Sequence, residues 1–453
     1  MRYLSKIFQP VITIPKNAKI KNTEITCKSQ KLLLECGLIR PTGPGLFTIL
    51  PLARRALDKL ENLIKSCIEA AGGQRMAVPS LTPATLWDKT GRLQEIGPEL
   101  IKMEDRHGKK YLLAPTHEEA IADLLADVGP LSYKQLPLLL YQIGNKYRDE
   151  ARPKHGLLRA REFSMMDAYG LHEHEHCARD TYSAVTDAYH TLFRTLQLPV
   201  HRVEAPSGDM GGPLSHEWQC PSPAGEDAVR VCGRCARARL QGGACHSCGG
   251  DTEEVQSIEV GHTFLLGSKY SAALAAHCAP SSGPPAPLYM SCYGIGITRL
   301  LSASIEVLSS DKCLRWPDAI APYSICIIGP KEGSREWQTH GIASISQLYE
   351  TLEPARPGDV IVDDRHHLTI GKRLMMADRM GYPYIIVMGK AALSDPARYE
   401  VYRSCDVTAS VQLLTTTELL ELLSHKDSQP IKINNVAALL TFGSKVGEDG
   451  GGV

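Results

Sequence analysis

The chain has 453 residues, 43% of them hydrophobic and 22% charged, and its 50 basic and 50 acidic side chains balance to zero net charge. That length accommodates roughly two to four domains, and the composition is that of an ordinary globular protein with apolar material for a large core. No stretch approaches the ~20 apolar residues of a membrane span, and a neutral chain offers nucleic acid no global attraction, so such a partner must meet local basic patches.

Residues 1–23 carry Arg2, Lys6, Lys16, Lys19 and Lys21 and no acid; Glu24 is the first carboxylate. A basic, acid-poor start is like a transit peptide, yet Pro10, Pro15 and the single arginine suit an ordinary basic arm as well. Over residues 51–71, Leu57, Leu60, Ile64, Cys67, Ile68 and Ala71 recur at helical spacing, and Gly72-Gly73 stops the helix. Residues 74–78 read as a short strand ending at Pro79. Residues 138–143 form a strand that enters a charged hairpin at 148–161, and 162–168 return as a strand. A helix over 181–196 places Tyr182, Val185, Ala188, Tyr189, Leu192 and Phe193 on one face. Residues 220–251 change character, becoming rich in Gly, Cys and Arg, and read as a small insertion. A strand at 289–293, Gly294-Ile295-Gly296 and a helix over 298–308 follow. After a boundary at 316–322, strands at 323–328, 360–363 and 384–388 alternate with helices at 342–352, 371–380 and 416–423, as in a compact α/β unit. From about residue 429 the chain reads as a loose tail.

Three groups of residues suggest chemistry. The first is Lys146-Tyr147-Arg148-Asp149-Glu150 with Arg159, Phe163 and Asp167. An arginine at a strand end can hold an α-phosphate, Glu150 lies on the same face by the strand period of two, and Phe163 offers a ring to a nucleobase. Alone, the stretch is equally a charged hairpin with a solvated turn. The second is Gly294-Ile295-Gly296-Ile297-Thr298-Arg299, where two glycines admit a ligand to a helix start and Arg299 adds bidentate phosphate recognition. A lone G-x-G is also an ordinary turn. The third is two C-x-x-C pairs, Cys232/Cys235 and Cys245/Cys248, nine residues apart. They suit a closed, structural zinc site or free thiols in a degenerate ribbon. The other ten cysteines, among them Cys36, Cys67, Cys292 and Cys405, are scattered as in a reducing compartment. His172-Glu173-His174-Glu175-His176 would gather three histidines on one side only as a strand; as the start of a helix it is solvated surface.

The Gly-ended helix with Pro79, the hairpin, and the G-x-G-x-x-R helix resemble motifs 1, 2 and 3 of class II aminoacyl-tRNA synthetases, in that order. Within that class, Pro115-Thr116-His117-Glu118-Glu119 resembles the T-x-E loop of the prolyl-tRNA synthetase family. Arg148-Asp149-Glu150 with Arg159-Ala160-Arg161-Glu162-Phe163 is similar to its R-D-E…R-x-R-E-F. Ser215-His216-Glu217-Trp218 resembles S-H-E-F, Glu259-Val260-Gly261-His262-Thr263-Phe264 resembles E-V-G-H-x-F, and Asp363-Asp364-Arg365…Gly371-Lys372 resembles D-D-R…G-x-K. The resemblance runs from about residue 5 to about residue 423.

It implies an α+β catalytic domain over 1–315, an antiparallel six- or seven-stranded sheet flanked by helices, with a small Cys-rich insertion at 220–251. An α/β anticodon-binding domain over 316–428 and a flexible tail over 429–453 follow. The implied activity is ATP-dependent activation of L-proline to prolyl-adenylate and its transfer to the 3′ end of tRNA(Pro). Arg148, Glu150 and Arg299 are then catalytic. ATP is held by these three with Arg159, Phe163, Glu217 and Glu259, and Mg²⁺ falls to Glu259, helped by Glu217. Proline meets Thr116, Glu118, Arg148, His262, Phe264 and Gly294. tRNA meets Lys154, Asp363, Asp364, Arg365 and Lys372, with Arg373 beside them. Motif 1 implies a homodimer.

Two departures matter. Relatives carry Arg-Phe where this chain has Lys154-His155, in a turn that faces the acceptor stem in the family. The bacterial enzymes insert a domain-sized editing module between motifs 2 and 3, for which residues 220–251 leave no room. A short insertion with paired cysteines looks like the mitochondrial branch and, with the basic start, gives the mitochondrial matrix as the expected location, the cytoplasm being the alternative. A threonine or glycine enzyme of the same subgroup is a rival, though the threonine enzyme needs a metal-binding Cys/His pocket where this chain has Thr116-x-Glu118 and Glu259…His262. A non-catalytic synthetase-like nucleic-acid-binding protein, such as a polymerase accessory subunit, would lose Arg148, Glu150, Phe163 and Arg299, all present here.

Overall fold

The structure, a computed structural model, describes residues 1–10, 25–235, 237–240, 243–404 and 411–424. The expected tail and much of the basic arm fall outside them. Helix α1 (Lys28–Glu35) is followed by α2 (Pro51–Ala70), which begins with proline in its first turn and buries Leu52, Ala53, Ala56, Leu57, Leu60, Ile64 and Ile68. The two glycines that stop α2 act for different reasons. Gly72 has φ +89°, where a side chain is strained, and at Gly73 a Cβ would sit 2.8 Å from the Ile68 carbonyl oxygen.

Strand β1 (Gly73–Arg75), helix α3 (Glu118–Val128), strands β2 (Leu138–Tyr147) and β3 (Glu162–His172), and helix α4 (Glu175–Thr195) come next. Then follow β4 (His201–Glu204), β5 (Leu214–Pro221), β6 (Asp227–Cys232), β7 (Ala238–Arg239), β8 (Thr252–Gly267), β9 (Tyr289–Gly296) and α5 (Ile297–Leu308). One nine-stranded sheet runs β4-β5-β8-β9-β3-β2-β1, with β6 on β8 and β7 on β6. Only β1 and β2 are parallel. The sheet exceeds the expected six or seven strands because the insertion is part of it: β6 pairs with the outer half of β8 from Asp227/Ser257 to Cys232/Thr252. Helix α2 packs on α4 and α5, and α4 and α5 lie on the sheet, closing the main core.

The C-terminal unit contains β10 (Ile325–Ile328), α6 (Arg335–Leu352), β11 (Val360–Asp363), α7 (Ile370–Met380), β12 (Tyr384–Val387), β13 (Arg398–Arg403), β14 (Gln412–Thr415) and α8 (Thr416–Ser424). The sheet order is β11-β10-β12-β13-β14, parallel among the first three and antiparallel beyond. Strands β10, β11 and β12 are buried along their whole lengths, which is why they read as unbroken apolar runs. Strands β13 and β14 carry alternating or polar residues and escaped the sequence reading. Helix α6 begins earlier than expected and contains a non-helical Gly341. The expected boundary is no loose linker: Trp316, Ile320 and Ala321 are buried, and the Trp316 indole donates to the Met380 carbonyl at 2.9 Å.

Candidate active site

Cross-strand register assembles the site. Gln142 on β2 faces Asp167 on β3, Asp167 faces Gly294 on β9, Gly294 faces His262 on β8, and His262 faces Glu217 on β5. Directly paired residues share a face, so five strands present one polar row with a glycine at its centre. Four residues along from the Gln142–Asp167 pair, in two steps of two, Lys146 faces Phe163. The Arg148 N–H continues the ladder to the Arg161 carbonyl at 2.9 Å. The Arg148 guanidinium lies 5.4 Å from the Phe163 ring centroid.

Glu259 reaches this face through a bulge. Trp218 faces Gly261 but Gln219 faces Glu259, so Val260 is the extra residue. Without it, Glu259 and His262, three apart, would point to opposite faces. With it, Glu259 accepts from His262 at 3.1 Å and lies 3.5 Å from Arg299. His262 also meets the Ser215 hydroxyl at 3.3 Å and stacks on Phe264 with centroids 3.9 Å apart. Arg299, in the first turn of α5, is aimed by the Leu158 carbonyl at 2.9 Å and the Glu259 carbonyl at 3.2 Å.

Arg148, Phe163, Glu259, His262, Gly294 and Arg299 line one small cavity, open to solvent at its mouth. Burial pushes Arg148 below its ordinary value and the charge of Arg299 pushes it further. Glu259 is held low despite burial, by His262, Arg299 and Arg148. Burial raises Glu217, and the charge of Glu259 adds to it. Two cations bearing on one another is the arrangement that an anion relieves.

Other expected residues stand at the rim or beneath. Arg159 pairs with Glu150 at 2.8 Å and with Glu226, which also takes Lys154 at 2.8 Å. Thr116 donates to Glu118 at 2.6 Å, and buried Glu118 lies 3.6 Å from Arg92. Neither lines the cavity walls, nor do Glu150, Arg159, Glu217 or Phe264. Below the floor, Lys146 and Asp167 form a buried pair at 2.6 Å. The Tyr169 hydroxyl donates to Asp167 at 2.7 Å and accepts the His117 N–H at 3.0 Å. Sequence reasoning missed Met165, Leu157, Leu158, Ala160 and Gly261 in the walls. Met165 was within reach, since counting in twos from Phe163 to Asp167 passes through it.

A family model, the tRNA synthetase class II core domain (G, H, P, S and T), matches residues 101–308. The chain is 46% identical over 437 residues to the probable mitochondrial proline–tRNA ligase of Homo sapiens, covering 93% of this chain and 90% of that one. The chain belongs to the prolyl-tRNA synthetases. It is also 35% identical to the probable mitochondrial proline–tRNA ligase of Schizosaccharomyces pombe over 82% of this chain and 88% of that one. The proline–tRNA ligase of the bacterium Anaplasma phagocytophilum is 32% identical, over 93% of this chain and 99% of its own. That match shows that a synthetase of this compass is not confined to mitochondrial relatives. The structure of a Giardia lamblia prolyl-tRNA synthetase in complex with prolyl-adenylate shares the fold, with TM-score 0.73 at 20% identity over 86% of this chain and 73% of that one.

In this synthetase the insertion brings its four cysteines together. Cys232 and Cys248 sulfurs are 3.5 Å apart, Cys235 and Cys245 are 3.6 Å apart, and all four lie within 4.8 Å of one another. A zinc–sulfur bond of about 2.3 Å in a tetrahedron sets sulfurs about 3.8 Å apart, so the knuckle has the right size. Backbone N–H groups of Ser247 and Cys248 pull the Cys245 thiol down to about 6, whereas the Gly250 N–H is outweighed at Cys248 by hydrogen bonds to Cys232 and Cys235, which push that thiol up to about 12.

The expected tRNA residues of the C-terminal unit stand in different surroundings. Asp363 has no exposed surface, and Arg365 closes on it through bonds of 2.8 and 2.6 Å. Arg373 is buried and donates to the carbonyls of Gly329, Pro330 and Asp363. Asp364 accepts from the Ser5 N–H at 2.9 Å and from its hydroxyl. Lys372 is exposed at the start of α7. The histidine run enters α4 as solvated surface, as expected, at His174, which caps the helix, and at His176, both exposed; His172 alone is buried, at the end of β3 against the Ser291 hydroxyl.

Proposed function

We propose that the chain is a proline–tRNA ligase that activates proline on ATP and transfers it to tRNA(Pro). One observation carries the reading: Arg148 and Arg299 converge on the cavity that also holds Glu259, His262 and the bare backbone of Gly294. A proline carboxylate oxygen attacks the α-phosphorus of ATP, the bond to the β-phosphate breaks, and pyrophosphate leaves. The 3′-terminal ribose hydroxyl then attacks the prolyl carbonyl and AMP leaves. Both steps gather charge on phosphate, so fixed cations are the main need. Arg148 serves the α-phosphate and the proline carboxylate, and Arg299 the γ-phosphate. Phe163 stacks the adenine, Glu150 meets its edge, and Arg159 adds a phosphate contact once it leaves Glu226. Thr116 and Glu118 bind the secondary ammonium, and His262 stacked on Phe264 walls the small ring.

Glu259 and Glu217 suit Mg²⁺, since the charge of Glu259 raises the cost of ionising Glu217, and a bound divalent ion neutralises phosphate charge. The four cysteines suit a structural zinc. The unit over 316–428 reads the anticodon, with Lys372 as an exposed cation, while Lys154 serves the acceptor end. The catalytic domain spans 1–315. A homodimer forms about β1, an edge strand beside a groove lined by Met76, Val78, Pro79, Leu81, Leu86 and Leu124. The mitochondrial relatives favour the matrix as its location. No helix among the described residues is long and apolar enough to cross a membrane.

ATP–pyrophosphate exchange with proline, threonine, glycine and alanine in turn tests the reading. Exchange led by proline is expected. None with any amino acid, in folded protein with Mg²⁺, leaves the non-catalytic synthetase-like reading.

A further inference from the structure

Residues 2–5 are built into the C-terminal unit. The Val362 N–H donates to the Arg2 carbonyl at 2.9 Å, and Tyr3 bridges Val362 in parallel. Strand β11 is the edge of its sheet, so this rung occupies an otherwise open ladder. The Arg2 side chain crosses to α6, donating to the Tyr349 hydroxyl at 2.9 Å and the Glu353 carboxylate at 2.8 Å. Ser5 engages both oxygens of Asp364. Tyr3 packs on the C-terminal core, while buried Leu4 joins the main core. From the catalytic side, α2 grips the turn before β11: Arg55 and Lys59 lie 3.1 and 2.6 Å from Asp359. Lys59 also donates to the Ala321 carbonyl, and Arg55 to those of Pro322 and Gly358.

We propose that residues 2–5 are a clamp that positions the C-terminal unit for tRNA, and that Asp364 acts through Ser5 rather than by touching nucleic acid. The proposal rests on reading that unit as anticodon-binding. Asp364 is a positioning residue on geometric grounds: both its oxygens already have donors from a segment more than 350 residues away in sequence. Arg2 and Glu353 keep 41% and 28% of their side-chain surface, so each contact alone has a modest effect.

The test compares the full chain with S5A, D364A, the double variant and a chain lacking residues 2–5. It reads the KM for tRNA(Pro) in charging, proline-dependent pyrophosphate exchange, and amide hydrogen exchange at Val362. S5A and D364A should each raise the tRNA KM about twofold to fivefold, the range of a half-exposed contact. The double variant should be no worse than D364A alone, S5T should restore the loss, and pyrophosphate exchange should hold. Loss of residues 2–5 should expose the Val362 amide. D364A alone raising KM, with additive effects in the double variant, would make Asp364 a direct contact and overturn the clamp. So would unchanged KM values, or pyrophosphate exchange falling in step with charging. If the wild-type chain shows no proline-dependent exchange, the functional reading has failed, and protection of Val362 that survives loss of residues 2–5 still overturns the clamp by itself.

Discussion

The catalytic cavity and the C-terminal unit both carry dense arginine–carboxylate clusters, yet in opposite states. In the C-terminal unit, Asp363 and Arg365 close a fork on each other and Arg373 spends its donors on carbonyls. In the cavity, Arg299 gives donors to the carbonyls of Leu158 and Glu259, yet it and Arg148 still bear on one another, with Glu259 the first carboxylate to offset their charge. Saturated charges hold a fold together; charges left in surplus await a ligand. The same letters in a sequence do not separate these states, because the difference lies in what fills the remaining valences.

The comparison breaks most easily where a saturated pair sits directly beneath the unsaturated one. Lys146 and Asp167 are buried at 2.6 Å under the cavity floor. Replacing Asp167 with Asn strands the ammonium, and about 3–5 kcal/mol of stability should go. Burial would raise the Asp167 carboxyl, but His117 and Lys146 outweigh it and hold it below the usual range. A depressed carboxylate contributes stability that is present above its unfolded value, about 3.9, and is lost as pH falls through the lower folded value. Urea unfolding of D167N should therefore show its full deficit near neutral pH and a shrinking one in acid. A deficit independent of pH would mean the pair is packing rather than charge.

Arg148 should behave in the opposite way. Its charge is disfavoured by burial and by Arg299, so R148A should leave thermal stability nearly intact. Proline-dependent exchange should fall about 10²- to 10³-fold, the cost of removing one fixed donor from developing charge. R299A should do likewise. An R148A protein that melts early but still exchanges would place Arg148 with Asp363 as scaffold.

How far this division was legible in the sequence varies by element. Helix α2 was readable because it buries one continuous face, which writes a period, and strands β10 to β12 because burial along their whole lengths writes an unbroken apolar run. The hairpin and the G-x-G-x-x-R turn were readable as motifs, since phosphate chemistry demands those residue types. The bulge at Val260 was not: one extra residue carries no composition, yet it decides whether Glu259 and His262 meet. Nor was the burial of Asp363, because an aspartate closing on an arginine two residues later reads the same as a pair offered to RNA. The strands β6 and β7 were hidden because β7 rests on β6, and the partner of β6, the outer half of β8, lies beyond the insertion where only long-range pairing reveals it.

A smaller effect concerns the shape of the proline pocket. Walls of Gly294 and of His262, backed by Phe264, can exclude larger side chains but cannot strongly reject a smaller one, since a missing methylene is worth about 1–3 kcal/mol. Alanine should therefore give weak exchange beside proline. Residues 220–251 are spent on β6, β7 and the cysteine knuckle, so no hydrolytic domain stands between the motifs. Purified protein should leave pre-formed alanyl-tRNA uncleaved, and measurable hydrolysis would require a second site elsewhere in the chain.

The smallest expected effect on catalysis comes from the knuckle, which carries saturated ligands of a third kind. Cys232 faces Thr252, seven residues from Glu259 along β8, or roughly 23 Å at the rise of a strand. Four thiolates leave no open position, so a bound zinc has no part in the chemistry. Metal analysis should find one zinc per chain. Its removal by a chelator, or C235S, should open residues 233–251 to protease while proline-dependent exchange stays near that of the wild type. If exchange collapsed with the zinc, β8 would be carrying strain from the knuckle to the bulge at Val260. The insertion would then belong to the unsaturated half of the comparison, because its metal would be what holds Glu259 beneath Arg299.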